Sequence, residues 1–161
     1  MTKKARSGSR RKSHRRAVKE YCSYIVEIQD WELTYSLGLN PNPKLLSGQY
    51  TEALHLSLKG ILRQPEKYSS KEITSTFIGD REIFPTKNDS DFTPRCVGAI
   101  TLRGEQRDFI GALPFDSLPI ISSPMQSNQV QFVDFYGQTH KYGHADIRWI
   151  HFFKKYDPEE Y

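Results

Sequence analysis

Hydrophobic and polar residues alternate along two stretches in the first half of the chain. Tryptophan, tyrosine and leucine stand at every second position from Trp31 to Leu39, and polar or small residues lie between them. The same alternation runs from Leu54 to Leu58. A period of two is typical of a strand with one buried face. These stretches therefore predict two strands, and the Asn-Pro-Asn-Pro run at 40–43 ends the first, because proline cannot donate to a strand ladder.

Further segments also have the composition of strands. Ile73–Ile78 is rich in β-branched residues, which favour a strand. Tyr24–Ile28 is either a strand of its own or the beginning of the Trp31 strand. Two pairs of apolar segments flank short polar turns, as in β-hairpins. These pairs are Cys96–Leu102 with Phe109–Phe115, and Val130–Tyr136 with Ile147–Phe153.

Proline and polar residues mark the connections between these strands. Gln64–Lys67 predicts a turn, and Phe84–Arg95, with its prolines and acidic residues, predicts a surface loop. One short helix is expected, capped by Asp116 and passing through Pro119, because proline is tolerated in a first helical turn. Pro124 is expected to limit its length.

The pattern predicts a mainly β fold: a two-layer antiparallel β-sandwich or a partly open barrel of about 7–8 strands. The strand order stays open at this point. Glu32 and Lys59 are expected to face solvent. The residues expected in the core are Leu33, Leu56, Ile100, Phe132 and Trp149.

Charge divides the chain into two parts. Residues 1–20 contain nine basic residues and one acidic residue, whereas residues 21–161 contain fourteen basic and eighteen acidic ones. We therefore expect a disordered basic arm at 1–20, followed by a single β domain at 21–161. The basic residues of the arm are Lys3, Lys4, Arg6, Arg10, Arg11, Lys12, Arg15, Arg16 and Lys19.

A basic segment with little to bury is typical of an arm that contacts nucleic acid, because neutralising phosphates releases counterions. The nine basic residues are the predicted nucleic-acid-binding residues. We expect any such binding to come almost entirely from them. Three other interpretations stay open: a solubilising tail, a nuclear-import signal if the host is eukaryotic, and a clamp on an acidic protein.

Histidine and carboxylate residues cluster near the C-terminus at His140, His144 and Asp146, with His151 further along. Imidazole and carboxylate groups can bind a transition metal or form a base with its orienting carboxylate. The spacing is generic, however, and Lys141 stands where the zinc-protease helix motif requires glutamate. We expect hairpin-loop histidines beside a strand that buries Trp149, with neither metal nor cofactor.

Two smaller groups of residues have ordinary structural interpretations. Cys22 and Cys96 match no zinc spacing and are expected to be buried, reduced thiols. Four aromatic residues could stack on a sugar or a base, but their alternation with polar residues predicts that they lie in the core. They are Trp31, Tyr35, Tyr142 and Trp149.

The sequence contains no phosphate loop, dinucleotide glycine motif or nucleophile elbow, and no secretion signal or apolar membrane span. The leading hypothesis is a non-catalytic cytoplasmic module, whose β domain engages a protein partner and whose arm contacts nucleic acid. A small metal-dependent enzyme that uses His140, His144 and Asp146 is the first alternative. A structural subunit of a larger assembly is the second.

Overall fold

The computed structural model describes residues 20–39, 50–79, 96–139 and 141–159. These residues form seven strands, one α-helix and a single 3-10 turn at Glu66–Tyr68. The strands and helix, in chain order, are β1 (Tyr21–Leu39), β2 (Tyr50–Leu62), β3 (Glu72–Gly79), β4 (Gly98–Arg103), β5 (Gln106–Leu113), α1 (Ser117–Gln126), β6 (Phe132–Gln138) and β7 (His144–Phe153).

The seven strands close into a barrel in the order β1-β2-β3-β5-β4-β7-β6, with β6 returning to β1. All neighbouring strands are antiparallel except β3 and β5, which are parallel. The predicted mainly β fold is confirmed. Because the sheet closes on itself, the fold is a barrel and not a sandwich. Closure gives every strand two neighbours over part of its length, which removes most of the exposed sheet edge.

Tyr24–Ile28 and Trp31–Leu39 belong to one strand, β1, and a bulge separates them. Ile28 is opposite Gly60 and Asp30 is opposite Lys59, so Gln29 is an extra residue. An extra residue reverses the alternation of side chains between the two faces of a strand. Even-numbered residues of β1 therefore point inward before the bulge, and odd-numbered residues do so after it.

The barrel interior contains apolar side chains from every strand. Leu56, Phe77, Ile100 and Phe135 are completely buried there. Phe109 stacks on Phe135 with 4.1 Å between the ring centroids. Burial of Leu56 and Ile100 and exposure of Glu32 and Lys59 agree with the sequence prediction. Leu33 and Phe132 were expected in the core but are only half-buried, because Leu33 lies where β1 leaves the barrel and Phe132 points outward.

Helix α1 covers part of the barrel interior. Leu118 and Met125 are buried in the same apolar cluster as the strand side chains. The predicted helix is confirmed, but it continues two residues beyond Pro124. The predicted cap is wrong: the side chain of Asp116 makes no capping hydrogen bond, because its own backbone is already helical. The hydroxyl of Ser117 donates instead to the carbonyl oxygen of Pro114, at a distance of 2.7 Å.

The far end of β1, from about Tyr35 to Leu39, extends past β3 as a two-stranded ribbon with β2, because β3 pairs with β2 only from Leu54 to Ile61. Residues after Glu27 pair with β2 but not with β6. The odd-numbered side chains of β1, which face inward just after the bulge, become exposed on this ribbon. The expected buried face of this strand therefore ends near Leu33. The exposed apolar residues of the ribbon are Tyr35, Leu37, Leu39 and Tyr50.

Several sequence predictions fall outside the described residues. They concern the arm at 1–19, the Asn-Pro-Asn-Pro run at 40–43 and the whole loop from Phe84 to Arg95. Within the ranges given above, no helix combines the length and the apolar character needed to cross a membrane.

Candidate functional site

The outer faces of β1, β6 and β7 carry a group of aromatic and titratable side chains. Cross-strand pairing places Tyr136 opposite Trp149 and Asp134 opposite His151. On the other side of β6, Tyr21 and Ser23 of β1 lie beside the same group. We call these residues the aromatic face: Tyr21, Ser23, Asp134, Tyr136, Arg148, Trp149 and His151.

Trp149 is the most exposed aromatic side chain of this face, at 70% exposure, and Tyr136 opposite it is 43% exposed. The predicted burial of Trp149 is therefore wrong. Ala145 and Ile147 point inward, and simple alternation would continue inward to Trp149. The register shifts here, because Gly137 is opposite Ile147 whereas Tyr136 is opposite Trp149. Arg148 is the extra residue of this bulge, and it turns Trp149 outward.

Gly137 permits the close approach of the two strands at this bulge. A Cβ atom at this position would overlap the carbonyl oxygen of Asp146 and approach Cδ1 of Ile147 to 2.8 Å. Only glycine leaves room for both groups without a shift of β7. The outward position of Trp149 thus depends on a residue of the neighbouring strand.

Tyr21 links the aromatic face to the N-terminal segment. Its ring stacks on Tyr136, with 6.0 Å between the centroids and 21° between the planes. The guanidinium carbon of Arg148 lies 5.6 Å from the centroid of the Tyr21 ring, within cation–π range. Tyr21 directly follows residues 1–20, which carry the nine basic residues. The basic segment therefore joins the barrel at the aromatic face.

Asp134 is the least exposed polar residue of the face, at 7% exposure. Its Oδ2 atom accepts a hydrogen bond of 3.1 Å from the hydroxyl of Ser23. Oδ1 is buried and has no hydrogen-bond partner among the described residues. Burial raises the pKa of Asp134 above its ordinary value of 3.8, and the Ser23 hydroxyl, His151 and the Tyr24 backbone oppose that rise. A buried acceptor without a partner is costly in a folded protein.

A shallow, open depression of about 490 Å³ lies over this carboxylate. Its walls are Asp134, Tyr136, Trp149 and His151, all from the paired strands β6 and β7. Aromatic rings, a carboxylate and an imidazole thus converge on one solvent-accessible space. Such a set can hold a flat ligand that has hydrogen-bond donors on one edge.

The predicted metal residues are brought together only in part. His144 and Asp146 both lie on the outer side of β7, opposite Thr101 and Ala99 of β4. His151 lies beyond the bulge and faces Asp134 instead. His140 is outside the described residues. Across the described ranges, no group of three histidine, cysteine, aspartate or glutamate residues is placed to hold a metal ion.

The other predicted residues are scattered. Trp31 is half-buried against the core, whereas Tyr35 on the ribbon and Tyr142 in the β6–β7 turn are exposed, against the prediction of a core position. Cys22 and Cys96 are free thiols, half-buried rather than buried. The nine basic residues of the arm lie outside the described residues, so their proposed role stays a prediction.

Sequence reasoning missed Tyr21, Asp134 and Tyr136 as site residues. A signal for two of them was present, because Phe132, Asp134 and Tyr136 occupy one phase of an otherwise apolar segment. An aspartate in that phase marks the outward face of the strand and so places Tyr136 outside as well. The partner of that face, Trp149, could not be assigned without the bulge.

Comparison of the chain with protein-family models, with curated proteins and with solved structures finds no match. The function is therefore inferred from the side chains of the barrel and from the charge of the chain.

Proposed function

We propose that this protein is a non-catalytic module that binds single-stranded nucleic acid on the aromatic face, with the basic segment at 1–20 adding electrostatic affinity. The observation that carries this proposal is the exposure of Trp149, 70%, directly opposite the exposed Tyr136. Aromatic side chains that are exposed next to each other form an apolar patch, and such patches often mark ligand-binding sites.

Unpaired nucleic-acid bases are suitable ligands for stacking on Tyr136 and Trp149. Every base has a π-face, so aromatic side chains on a strand surface bind single strands with little sequence preference. The strands β6 and β7 already fix the backbones of Tyr136 and Trp149, which limits the entropy lost on binding. Bases of an intact duplex are stacked on each other, and they cannot reach these rings.

Charge favours a nucleic acid over a neutral sugar as the stacked ligand. Arg148 lies at the face, and the basic segment joins it through Tyr21. Arginine contributes phosphate contacts and cation–π contacts to single-strand binding. This proposal departs from the sequence prediction, in which nucleic-acid binding came almost entirely from the arm, because here the arm supplies salt-dependent attraction and the barrel supplies stacking. A cytoplasmic protein, or a nuclear one in a eukaryotic host, would meet such strands.

The proposal is tested by fluorescence anisotropy with labelled oligouridine and oligothymidine of about 12 nucleotides, a length within the range of single barrel sites. We expect Trp149→Ala to weaken binding about fivefold or more, because one stacked base is lost. Tyr142→Ala is the matched control, since Tyr142 is an exposed aromatic residue of the same hairpin but lies outside the aromatic face. Equal affinity of the Trp149→Ala variant and the wild type would contradict a role for the face.

Intrinsic fluorescence gives a second readout, because the chain has two tryptophans. Trp31 packs against the core, and Trp149 is exposed. We expect oligonucleotides to quench the fluorescence of the Trp31→Phe variant, in which Trp149 remains. The Trp149→Phe variant should show no quenching. Quenching that persists in Trp149→Phe would place the bound strand elsewhere on the chain.

The protein partner expected from the sequence, the metal-dependent enzyme that uses His140, His144 and Asp146, and the structural subunit all stay predictions. The described residues favour none of them over the binding of a single strand.

A further inference from the structure

We infer that the far edge of strand β1 pairs with the same edge of a second copy of this chain, so that the protein forms a two-fold symmetric dimer. We call the stretch Leu33–Leu39 the open edge. The barrel does not close on this side of β1, because β6 pairs with β1 only as far as Glu27. Ile28 then donates to the carbonyl oxygen of Gln131 at 2.8 Å, the last backbone hydrogen bond on this side among the described residues.

The backbone groups of odd-numbered residues point to the open edge. On β2, the N–H of Arg63 donates to Ile25 of β1, whereas Leu62 exchanges hydrogen bonds with the segment that leads into β3. Because bonding alternates along a strand, odd-numbered residues of β2 bond to β1. After the bulge they are opposite even-numbered residues of β1, as Ser57 is opposite Glu32. Odd-numbered residues of β1 therefore direct their N–H and C=O groups away from β2.

Trp31, just before the open edge, shows this direction in a printed contact of its backbone. Its N–H donates to the side-chain carboxylate of Asp30 at 2.9 Å and not to a strand. From Leu33 to Leu39 the chain contains no charged residue and no proline. Charges and prolines are the usual features that keep an edge strand from pairing with another chain. The open edge is therefore suited to receive another strand.

A second copy fits this edge because the edge is complementary to itself. Antiparallel pairing that places Leu33 of each copy opposite Leu37 of the other joins odd-numbered residues to odd-numbered residues, so the outward N–H and C=O groups of both copies meet. The same register places Glu32 opposite Gly38, so this carboxylate faces no like charge. Parallel pairing in register would instead place Glu32 opposite itself. One antiparallel contact about a two-fold axis closes the assembly at two chains.

Apolar side chains on this edge gain cover from the second copy. Leu37 is 61% exposed and Leu39 is 75% exposed. Pairing brings the side chains of the opposite strand to within about 5 Å on the same face of the joined sheet. A nucleic acid suits this edge poorly, because the carboxylates of Asp30, Glu32 and Glu52 beside it repel phosphates. The dimer contact is thus distinct from the aromatic face, and its existence does not depend on the proposed function.

Analytical ultracentrifugation of the nuclease-treated full chain tests the dimer, since the treatment removes any nucleic acid that could join two copies. We expect a mass of two chains at micromolar concentrations. Leu37→Lys should raise the dissociation constant about tenfold or more, because both copies lose an apolar cross-strand contact. Ile120→Lys is the matched control, a comparably exposed apolar residue of α1, and it should dimerise like the wild type.

Substitutions of Gly38 test the register. A Cβ atom there meets nothing within 4 Å among the described atoms, so the fold of one chain has room for a side chain. Gly38→Lys sets a positive charge opposite Glu32 of the other copy and should lower the dissociation constant about threefold relative to Gly38→Gln, whereas Gly38→Glu should raise it by a similar factor. Circular dichroism establishes that each variant is folded. Dimers that pack through the apolar side chains alone would not distinguish these variants, because Gly38 points to the other side of the strand.

The outcomes bear on the dimer alone, because no nucleic acid is present. A single-chain mass at every concentration, or a dimer that Leu37→Lys leaves intact, would show that the open edge does not pair. A mass that grows beyond two chains would contradict closure about a two-fold axis. Equal dissociation constants for Gly38→Lys and Gly38→Glu would show that the register is wrong.

Discussion

Tyr136 and Trp149 lie directly opposite each other on the outside of the barrel, and the extra residue Arg148 is what brings them there. Without that residue, the alternation that buries Ala145 and Ile147 would continue inward to Trp149. One inserted residue therefore turns a large side chain from the core to the surface. The next inward-facing positions after the bulge are Ile150 and Phe152, and these pack against the core instead.

Gly137→Ala should destabilise the protein by about 1–3 kcal/mol, the usual cost of forcing extra volume into a packed site. The new methyl group would overlap the backbone of Asp146 and crowd Ile147. Urea denaturation measures this loss. Gly38→Ala is the control, because a Cβ there meets nothing within 4 Å among the described atoms. A Gly137→Ala variant as stable as Gly38→Ala would mean that the bulge is not packed as described.

Leu56→Ala should lower the free energy of unfolding by about 2–5 kcal/mol, because it opens a cavity in the barrel interior. Leu56 has no exposed surface and lies opposite Phe77 of β3. Lys59→Ala on the same strand should change stability by no more than about 0.5 kcal/mol, because its side chain is exposed. Chemical denaturation of both variants checks the register of β2, and similar losses at the two positions would show it to be wrong.

Asp134→Asn should become increasingly stable relative to the wild type as the pH rises. Burial raises the pKa of the folded carboxyl above 3.8, so the folded protein holds this proton more tightly than the unfolded chain does. That contribution to stability is complete below 3.8 and is lost as the pH rises through the raised folded pKa. Asparagine does not ionise, and its amide oxygen can still accept from Ser23.

Paired urea titrations of the wild type and Asp134→Asn at about pH 3 and about pH 7 measure this difference in the free energy of unfolding, because contributions from groups that do not interact with Asp134 cancel between the two proteins. A difference that stays constant with pH would contradict the raised pKa. Asp146→Asn provides a comparison at a half-buried position of the same barrel face.

Replacing Arg10, Arg11, Arg15 and Arg16 together by alanine should remove most of the salt dependence of binding. If six phosphates are neutralised, log affinity for a single strand should fall with log salt at a slope of about −4, and the variant slope should be shallower by about 3. The melting temperature should be unchanged, because terminal segments contribute little to folding. Anisotropy titrations over a range of salt concentrations measure the slopes. An unchanged slope would mean that the phosphate contacts lie on the barrel and not on the arm.

Local sequence pattern determined the strands and their turns. Alternation from Leu54 to Leu58 depends only on which residues avoid water, and it identified the inward side chains of β2 correctly. The turn between β4 and β5 could also be predicted, because a glycine in a polar stretch between two apolar segments is typical of a turn. In the structure, Gly104 has a positive φ of 60°, which favours glycine. The charge contrast between residues 1–20 and 21–161 is likewise a property of the sequence alone.

The tertiary structure decided the closure of the barrel, the parallel pairing of β3 with β5, and the position of each bulge. A bulge depends on how two separate strands pack against each other, as at Gly137 and Arg148. It therefore cannot be recognised from the alternation of residues along one strand. For the same reason the sequence placed Trp149 in the core. The aromatic face exists because strand pairing across the barrel adds Tyr21 to Asp134 and Tyr136 on one side and Trp149 on the other.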